Sequence, residues 1–234
     1  SMLRICDFAS KLKKPIKVFQ ASSAELYGGI YDGPVNEETP FYPRNPYAIA
    51  KLCAHWIVKH YREQHNLFSC NGILFNSESP RRGENFVTKK IAKTIAEIKQ
   101  GKKDVLEIGN LNAKRDWNHA KDTAYAIWLI LQQEKPDDYV IASGESHSVR
   151  EFVELAFKQV GIEIEWKGSG LDEQGIDKKT GKVYIKVDPK YFRPSELQRN
   201  MFGDITKLKK LNWNPTCNLN AIIKEMMDFE LKNQ

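Results

Sequence analysis

No apolar run in this sequence approaches the roughly 18 residues that a membrane-spanning helix needs. The opening residues, "SMLRICDFASKLKKP", lack the apolar stretch and small-residue cleavage site of a secretory signal, so the expected setting is the cytoplasm and no membrane partner is expected. Cysteine is sparse: Cys6, Cys53, Cys70 and Cys217 are scattered without a C-x-x-C pair, which argues against a zinc site and against a disulfide framework. They are expected to be reduced core thiols, and no metal is expected. There is no internal repeat and no low-complexity tract. Also missing is a strand running into G-x-G-x-x-G or G-x-x-G-x-x-G, the run that opens a dinucleotide-binding unit. Either the fold is of another kind, or its front third lies outside these residues.

What is there suffices for a folded protein. The 234 residues are 41% hydrophobic, enough for a substantial core. A net charge of +6 favours an anionic partner, which charge alone leaves open among nucleic acid, a membrane surface and a phosphorylated small molecule. The basic runs "KLKK", "KKIAK" and "KQGKK" fall on expected helix faces or ends, without the interleaved aromatics of a single-strand platform, so no nucleic-acid partner is expected.

Apolar runs alternate with amphipathic stretches, the pattern of parallel strands joined by crossover helices. Residues 16–22, 69–75 and 139–144 read as strands bounded by turn residues. Between the first two lies a helix in which Pro46 suits the first turn, with Ala48, Leu52, Trp56 and Val58 near helical spacing. Further helices are expected in "NFVTKKIAKTIAEIKQG", ended by Gly101, in "DTAYAIWLILQQ", after the capping pair Ser148 and Glu151, and at the C-terminal "LNAIIKEMMDFELKNQ". "DVLEIG" reads as a strand, and the Gly-rich, charged stretch 167–182 as an exposed loop.

Within "PRNPYAIAKLCAHW", Tyr47 and Lys51 stand four apart and share a helix face. A cation near a phenol favours the phenolate, and such a phenol can act as a general base toward a sugar hydroxyl. The pattern alone is common by chance, and a ring and a charge on a helix surface explain it equally well. Its context is more specific. The preceding strand ends in "QASSAELYG", a junction at which open α/β sheets place ligands, and offers Ser22, Ser23 and the carboxylate of Glu25. A serine pair after a strand is ordinarily turn chemistry; with Glu25, Tyr47 and Lys51 it forms a possible base, acid and oxidation centre.

The stretches "KVFQASSAELYG", "TPFYPRNPYAIAKLCAHWIV", "NGILFNSESPRRGENFVTKKI", "IGNLNAKRDWNHAKD" and "VIASGESHSVREF" resemble, nearly in continuous register, the GDP-mannose 4,6-dehydratase family of extended short-chain dehydrogenases/reductases. The resemblance implies an α/β fold: a partial Rossmann-type doubly wound parallel sheet with a smaller C-terminal substrate-binding domain. It places the later half of the dinucleotide-binding domain in residues 1–80 and mainly the substrate domain in 81–234, with the strand at 139–144 returning to the Rossmann region. It implies NADP as cofactor, GDP-mannose as substrate, and a homodimer or homotetramer, the "SPRRGENF" loop reaching a neighbouring subunit.

Carried over position by position, the resemblance gives Ser23, Glu25, Tyr47 and Lys51 to catalysis. It gives Tyr47, Lys51, Ser77 and Arg82 to the cofactor, and Asn76, Lys90, Arg115, Arg193 and Glu196 to the substrate. Tyr47 would take the C4 hydroxyl proton, Lys51 would hold the nicotinamide ribose, and Glu25 would remove the C5 proton and assist loss of the C6 hydroxyl. Arginine suits the pyrophosphate because its planar fork donates two parallel hydrogen bonds. Three positions depart from the family pattern: Ser23 replaces a threonine, Ala24 a serine and Ser77 a histidine. Two other readings stay open, a nucleotide-sugar 4-epimerase and a non-catalytic homologue serving as a binding or assembly module.

Overall fold

The computed structural model describes residues 1–191 and 199–233. Two compact units are present: Ser1–Ser77 with Asp116–Ser146 and Arg199–Thr216, and Glu78–Arg115 with His147–Gln198 and Cys217–Gln234.

The first unit is built on a parallel sheet of three strands, Val18–Ala21, Ser69–Leu74 and Asp138–Ile141, with Ser69–Leu74 at the centre. These are the expected strands, the first two slightly shortened and the third beginning one residue earlier and ending at Ile141. Parallel neighbours need crossovers, and helices supply them. Successive strand residues point to opposite faces, and the core divides accordingly. Val18 packs with Cys6, Val58, Tyr61 and Leu67. Phe19 packs against the cluster holding Ile73, Ala126, Ile130, Val140 and Trp213. The sheet is therefore covered on both faces, by helices Met2–Ser10 and Pro46–His65 on one and Ala120–Gln132 on the other. A further parallel pair joins Gly33–Val35 to Met201–Gly203.

Helix Pro46–His65 begins as its sequence predicts: the Asn45 side chain caps it, Pro46 sits in the first turn, and Asn66 closes it in the left-handed conformation. Its buried face differs from the expectation. Trp56 is 52% exposed, while His55, one residue earlier, is 4% exposed and packs edge-on against Phe41. The reason is a polar network beneath this face. Arg62 donates two hydrogen bonds to Asp138, at 2.7 and 2.9 Å, and Asn71 Nδ2 donates to Asp138 and to the His55 carbonyl. The helix turns toward these partners, and the indole is left outside. Burial works against the Asp138 charge, but the Arg62 fork and the Asn71 amide outweigh it and hold the carboxyl below its ordinary value. Burial, helped by the Arg62 and Lys59 charges and opposed by Asp138, lowers the His55 pKa.

The cysteines also divide. Cys6 and Cys70 are buried, whereas Cys53 is exposed and Cys217 intermediate, so the expectation of four core thiols is corrected. Cys53 lies on the outer face of helix Pro46–His65, away from Ala48, His55 and Val58.

In the second unit, helices Val87–Lys99, Val149–Gln159 and Leu219–Asn233 pack together, burying Ile91, Ile95, Phe152, Ile223 and Met227. Ser148 Oγ caps the second of these by accepting from Glu151 N at 3.1 Å, while the Glu151 carboxylate meets His147. Beside them lies a sheet ordered Ile164–Lys167, Gln174–Asp177, Val183–Val187, Leu106–Ile108. The expected loop at 167–182 is thus corrected: its middle, Gln174–Asp177, is a strand with Gly175, Ile176 and Asp177 buried. Glycine is needed there because a Cβ on Gly175 would come within 2.4 Å of Ile185 Cδ1. Charge confined to the flanking turn, closed by Thr180 Oγ1 donating to Asp177 at 2.7 Å, disguises a short hairpin as a loop.

Candidate active site

Strand Val18–Ala21 delivers the chain to a one-turn helix, Ala24–Tyr27, whose cap is Ser23: its hydroxyl accepts from Glu25 N at 3.2 Å. The turn leaves through Gly28 in the left-handed conformation, where a Cβ would stand 2.0 Å from the Tyr42 carbonyl oxygen. Tyr42 N in turn donates to Leu26 O at 2.7 Å. The turn carrying Glu25 is therefore pinned to the segment that leads into helix Pro46–His65. Ser22 is 3% exposed, and its hydroxyl has no partner among the described residues.

At the start of that helix, Tyr47 is 54% exposed. Lys51 extends back to the strand end, where Nζ donates to the Ala21 carbonyl at 2.7 Å while lying 5.7 Å from the Tyr47 ring centroid. Glu25 Oε2 accepts from Asn45 Nδ2 at 3.0 Å. A carboxylate, a phenol and an ammonium thus stand on neighbouring segments at one end of the parallel sheet, where open α/β sheets receive ligands. Sequence reasoning identified the three reactive groups but missed Asn45. The available signal was its place as N-cap of a Pro-initiated helix, where capping engages only the amide oxygen and leaves Nδ2 free to donate elsewhere.

The other first-unit candidates are engaged locally. Ser77 Oγ shares a 2.8 Å hydrogen bond with Thr123 Oγ1, and Asn76 N donates to Asp116 O at 3.3 Å. Asp116, which sequence reasoning did not single out, is 1% exposed and organises this region: its carboxylate accepts from Ser143 N and Oγ, Gly144 N and Gly203 N. Burial pushes its pKa up against those four bonds.

The second unit holds Arg82, Lys90 and Arg115. The Arg82 guanidinium lies 3.6 Å from the Phe86 ring centroid, with Nε 3.3 Å from Glu78 Oε2. Burial pushes the Glu78 carboxyl up to about 7, opposed by the Arg82 charge and the Thr88 hydroxyl. Lys90 Nζ sits 3.1 Å from the Tyr191 ring centroid, and Arg115 donates to the Lys114 carbonyl. Arg193 and Glu196 lie outside the described residues. Among the described residues no group of three or more His, Cys, Asp or Glu side chains could hold a metal ion, and no helix is long and apolar enough to cross a membrane.

The fold is of the Rossmann type. RMD from Pseudomonas aeruginosa, complexed with NADPH, superposes with a TM-score of 0.78 at 24% identity, over 92% of this chain and 67% of that one. The dTDP-glucose 4,6-dehydratase of Bacillus anthracis, in complex with NAD, gives 0.77 at 21% identity over 99% and 66%. More specifically, the chain belongs to the GDP-mannose 4,6 dehydratase family, whose profile matches residues 1–226. Proteins of that name are 51% identical in Drosophila melanogaster and 52% identical in Homo sapiens, each over 98% of this chain. One in Vibrio cholerae is 48% identical over 94%. The chain spans 59–62% of the length of these curated relatives.

Proposed function

We infer that this chain carries the sugar-processing residues of a GDP-mannose 4,6-dehydratase, which converts GDP-mannose to GDP-4-keto-6-deoxymannose and water. One observation carries the reading: Glu25 is held by Asn45 at the head of the helix that bears Tyr47 and Lys51. An epimerase needs the phenol and the ammonium but no carboxylate to move a C5 proton; a dehydratase needs all three. The names of relatives near 50% identity support the same choice.

Tyr47 accepts the proton of the C4 hydroxyl as C4 is oxidised. The resulting ketone acidifies C5, from which Glu25 takes the proton, and the same carboxyl returns it to the departing C6 hydroxyl so that water leaves. Tyr47 then protonates C5 as C6 is reduced, and the phenol and carboxylate regain their starting forms. NADP, when bound, would supply the hydride chemistry for oxidation at C4 and reduction at C6. The cluster fits it: Lys51 Nζ has one hydrogen bond, to Ala21 O, and an ammonium carries three donors, so it can also hold a ribose hydroxyl. Ser77 and Arg82 complete the proposed cofactor contacts, the Ser77 hydroxyl retaining acceptor capacity beyond its bond to Thr123. Asn76, Lys90, Arg115, Arg193 and Glu196 are proposed for the nucleotide and pyrophosphate. A homodimer or homotetramer belongs to the same reading and rests on the resemblance of the "SPRRGENF" loop; the cytoplasm is its proposed setting.

The test is incubation of the complete protein with GDP-mannose and NADP. A 4-keto-6-deoxy product is expected from the native protein and none from Glu25→Gln. Recovery of a C4 epimer, or binding without turnover, would replace this reading with one of its rivals.

A further inference from the structure

Among the described residues, Asn45 is the single side chain with a hydrogen bond shown both to the carboxylate-bearing turn and to the phenol-bearing helix. Its Oδ1 accepts from Ala48 N at 2.8 Å, capping helix Pro46–His65, and its Nδ2 donates to Glu25 Oε2 at 3.0 Å. The amide has one workable orientation. Reversed, it would set an NH2 group against the Ala48 N–H and a carbonyl against a carboxylate, losing both bonds. Of the two carboxylate oxygens of Glu25, Oε2 is thereby occupied, while Oε1 takes no hydrogen bond among the described residues.

The geometry points to Asn45 as a positioning residue for the elimination step: it fixes the Glu25 carboxylate relative to Tyr47 and leaves Oε1 as the oxygen that faces the sugar. This inference rests on the dehydratase reading above. The physical case is that oxidation at C4 and proton removal at C5 concern adjacent carbons, so phenol and carboxylate must keep a fixed separation while each acts in turn. Glu25 stands on a short turn whose other tethers, Ser23 Oγ to Glu25 N and Leu26 O to Tyr42 N, hold backbone only. Its side chain has several rotatable bonds, and the Asn45 amide is what orients its end. The two functions of the amide are separable. Serine caps a helix as well as asparagine but is too short to reach Glu25, and aspartate caps equally well while placing a like charge beside the carboxylate.

The experiment compares the native complete protein with Asn45→Ser and Asn45→Asp, using GDP-mannose and NADP. Three quantities are read: the thermal midpoint, the transient reduction of nicotinamide that reports C4 oxidation, and formation of the 4-keto-6-deoxy product. For Asn45→Ser the midpoint and the transient reduction are expected to stay near native values while product formation falls about ten- to a hundredfold in kcat with KM little changed, the cost of a misplaced reacting group. Asn45→Asp should fall further with its midpoint also preserved. A merely structural cap predicts a different pattern, in which Asn45→Ser behaves as native. That outcome, or a parallel loss of oxidation and elimination, overturns the role given to Asn45 and leaves the dehydratase reading standing. A native protein that forms no 4-keto sugar overturns both.

Discussion

Helix Pro46–His65 carries two polar clusters that differ in how their bonding capacity is used. On its buried side, Arg62 and Asp138 grip each other through two hydrogen bonds, Asn71 fills a further carboxylate site, and each charged side chain keeps only 12% of its surface exposed. At its first turn, Glu25 takes one side-chain bond, Lys51 makes one, and Tyr47 stands half in solvent. Groups that hold a fold together saturate one another, because an unpaired buried charge is costly. Groups that meet a ligand keep capacity in reserve. The same helix therefore carries one saturated cluster and one with bonding capacity in reserve, the latter proposed above as the reactive end.

Substitutions should separate the two clusters. The largest effect is expected from Tyr47→Phe, which removes an exposed hydroxyl: product formation from GDP-mannose should fall about a hundred- to ten-thousandfold, the range for a lost general base, with an unchanged denaturation midpoint. Asp138→Ala should do the reverse. It strands the Arg62 guanidinium and should lower unfolding free energy by about 3 kcal/mol, the lower end for a broken buried pair given the residual exposure, as read by urea denaturation. Gly28→Ala would blur the contrast. The left-handed backbone and the overlap with the Tyr42 carbonyl should cost about 2 kcal/mol and also displace Glu25, so stability and turnover should drop together. The smallest effect concerns pH. A lowered folded-state pKa means that stability is complete above the ordinary histidine value of 6.5 and declines as pH falls below it toward the lowered value, because the unfolded chain takes the proton first. Denaturation midpoints across that window should show a slope that His55→Phe removes.

The regular elements were legible because they repeat a local rule. Pro46 after a capping residue, Ser148 three before Glu151, and short apolar runs between turn residues each describe a few neighbouring residues. Tyr47, Lys51 and Glu25 were singled out differently, by residue type together with the resemblance of the stretches around them, since the Tyr and Lys spacing alone is common by chance. What failed was any judgement needing a distant partner. Trp56 looked like core until the Asp138 carboxylate, far along the chain, drew Arg62 and His55 inward instead. The stretch 167–182 looked like a loop because its pairing with Val183–Val187 and the close fit of Gly175 under Ile185 leave little apolar signal in the stretch itself.

By itself, then, the sequence determined most of the strands and helices, though not strand Gln174–Asp177, and which side chains offer a phenol, a carboxylate and a cation, since propensity, capping and chemical type are properties of short stretches. Only the tertiary structure decided which face of helix Pro46–His65 is buried, that Asp116 gathers Ser143, Gly144 and Gly203, and that Asn45 reaches Glu25. Those outcomes depend on hydrogen bonds between groups brought together by the crossing of strands and helices, and such a bond leaves no periodicity along the chain.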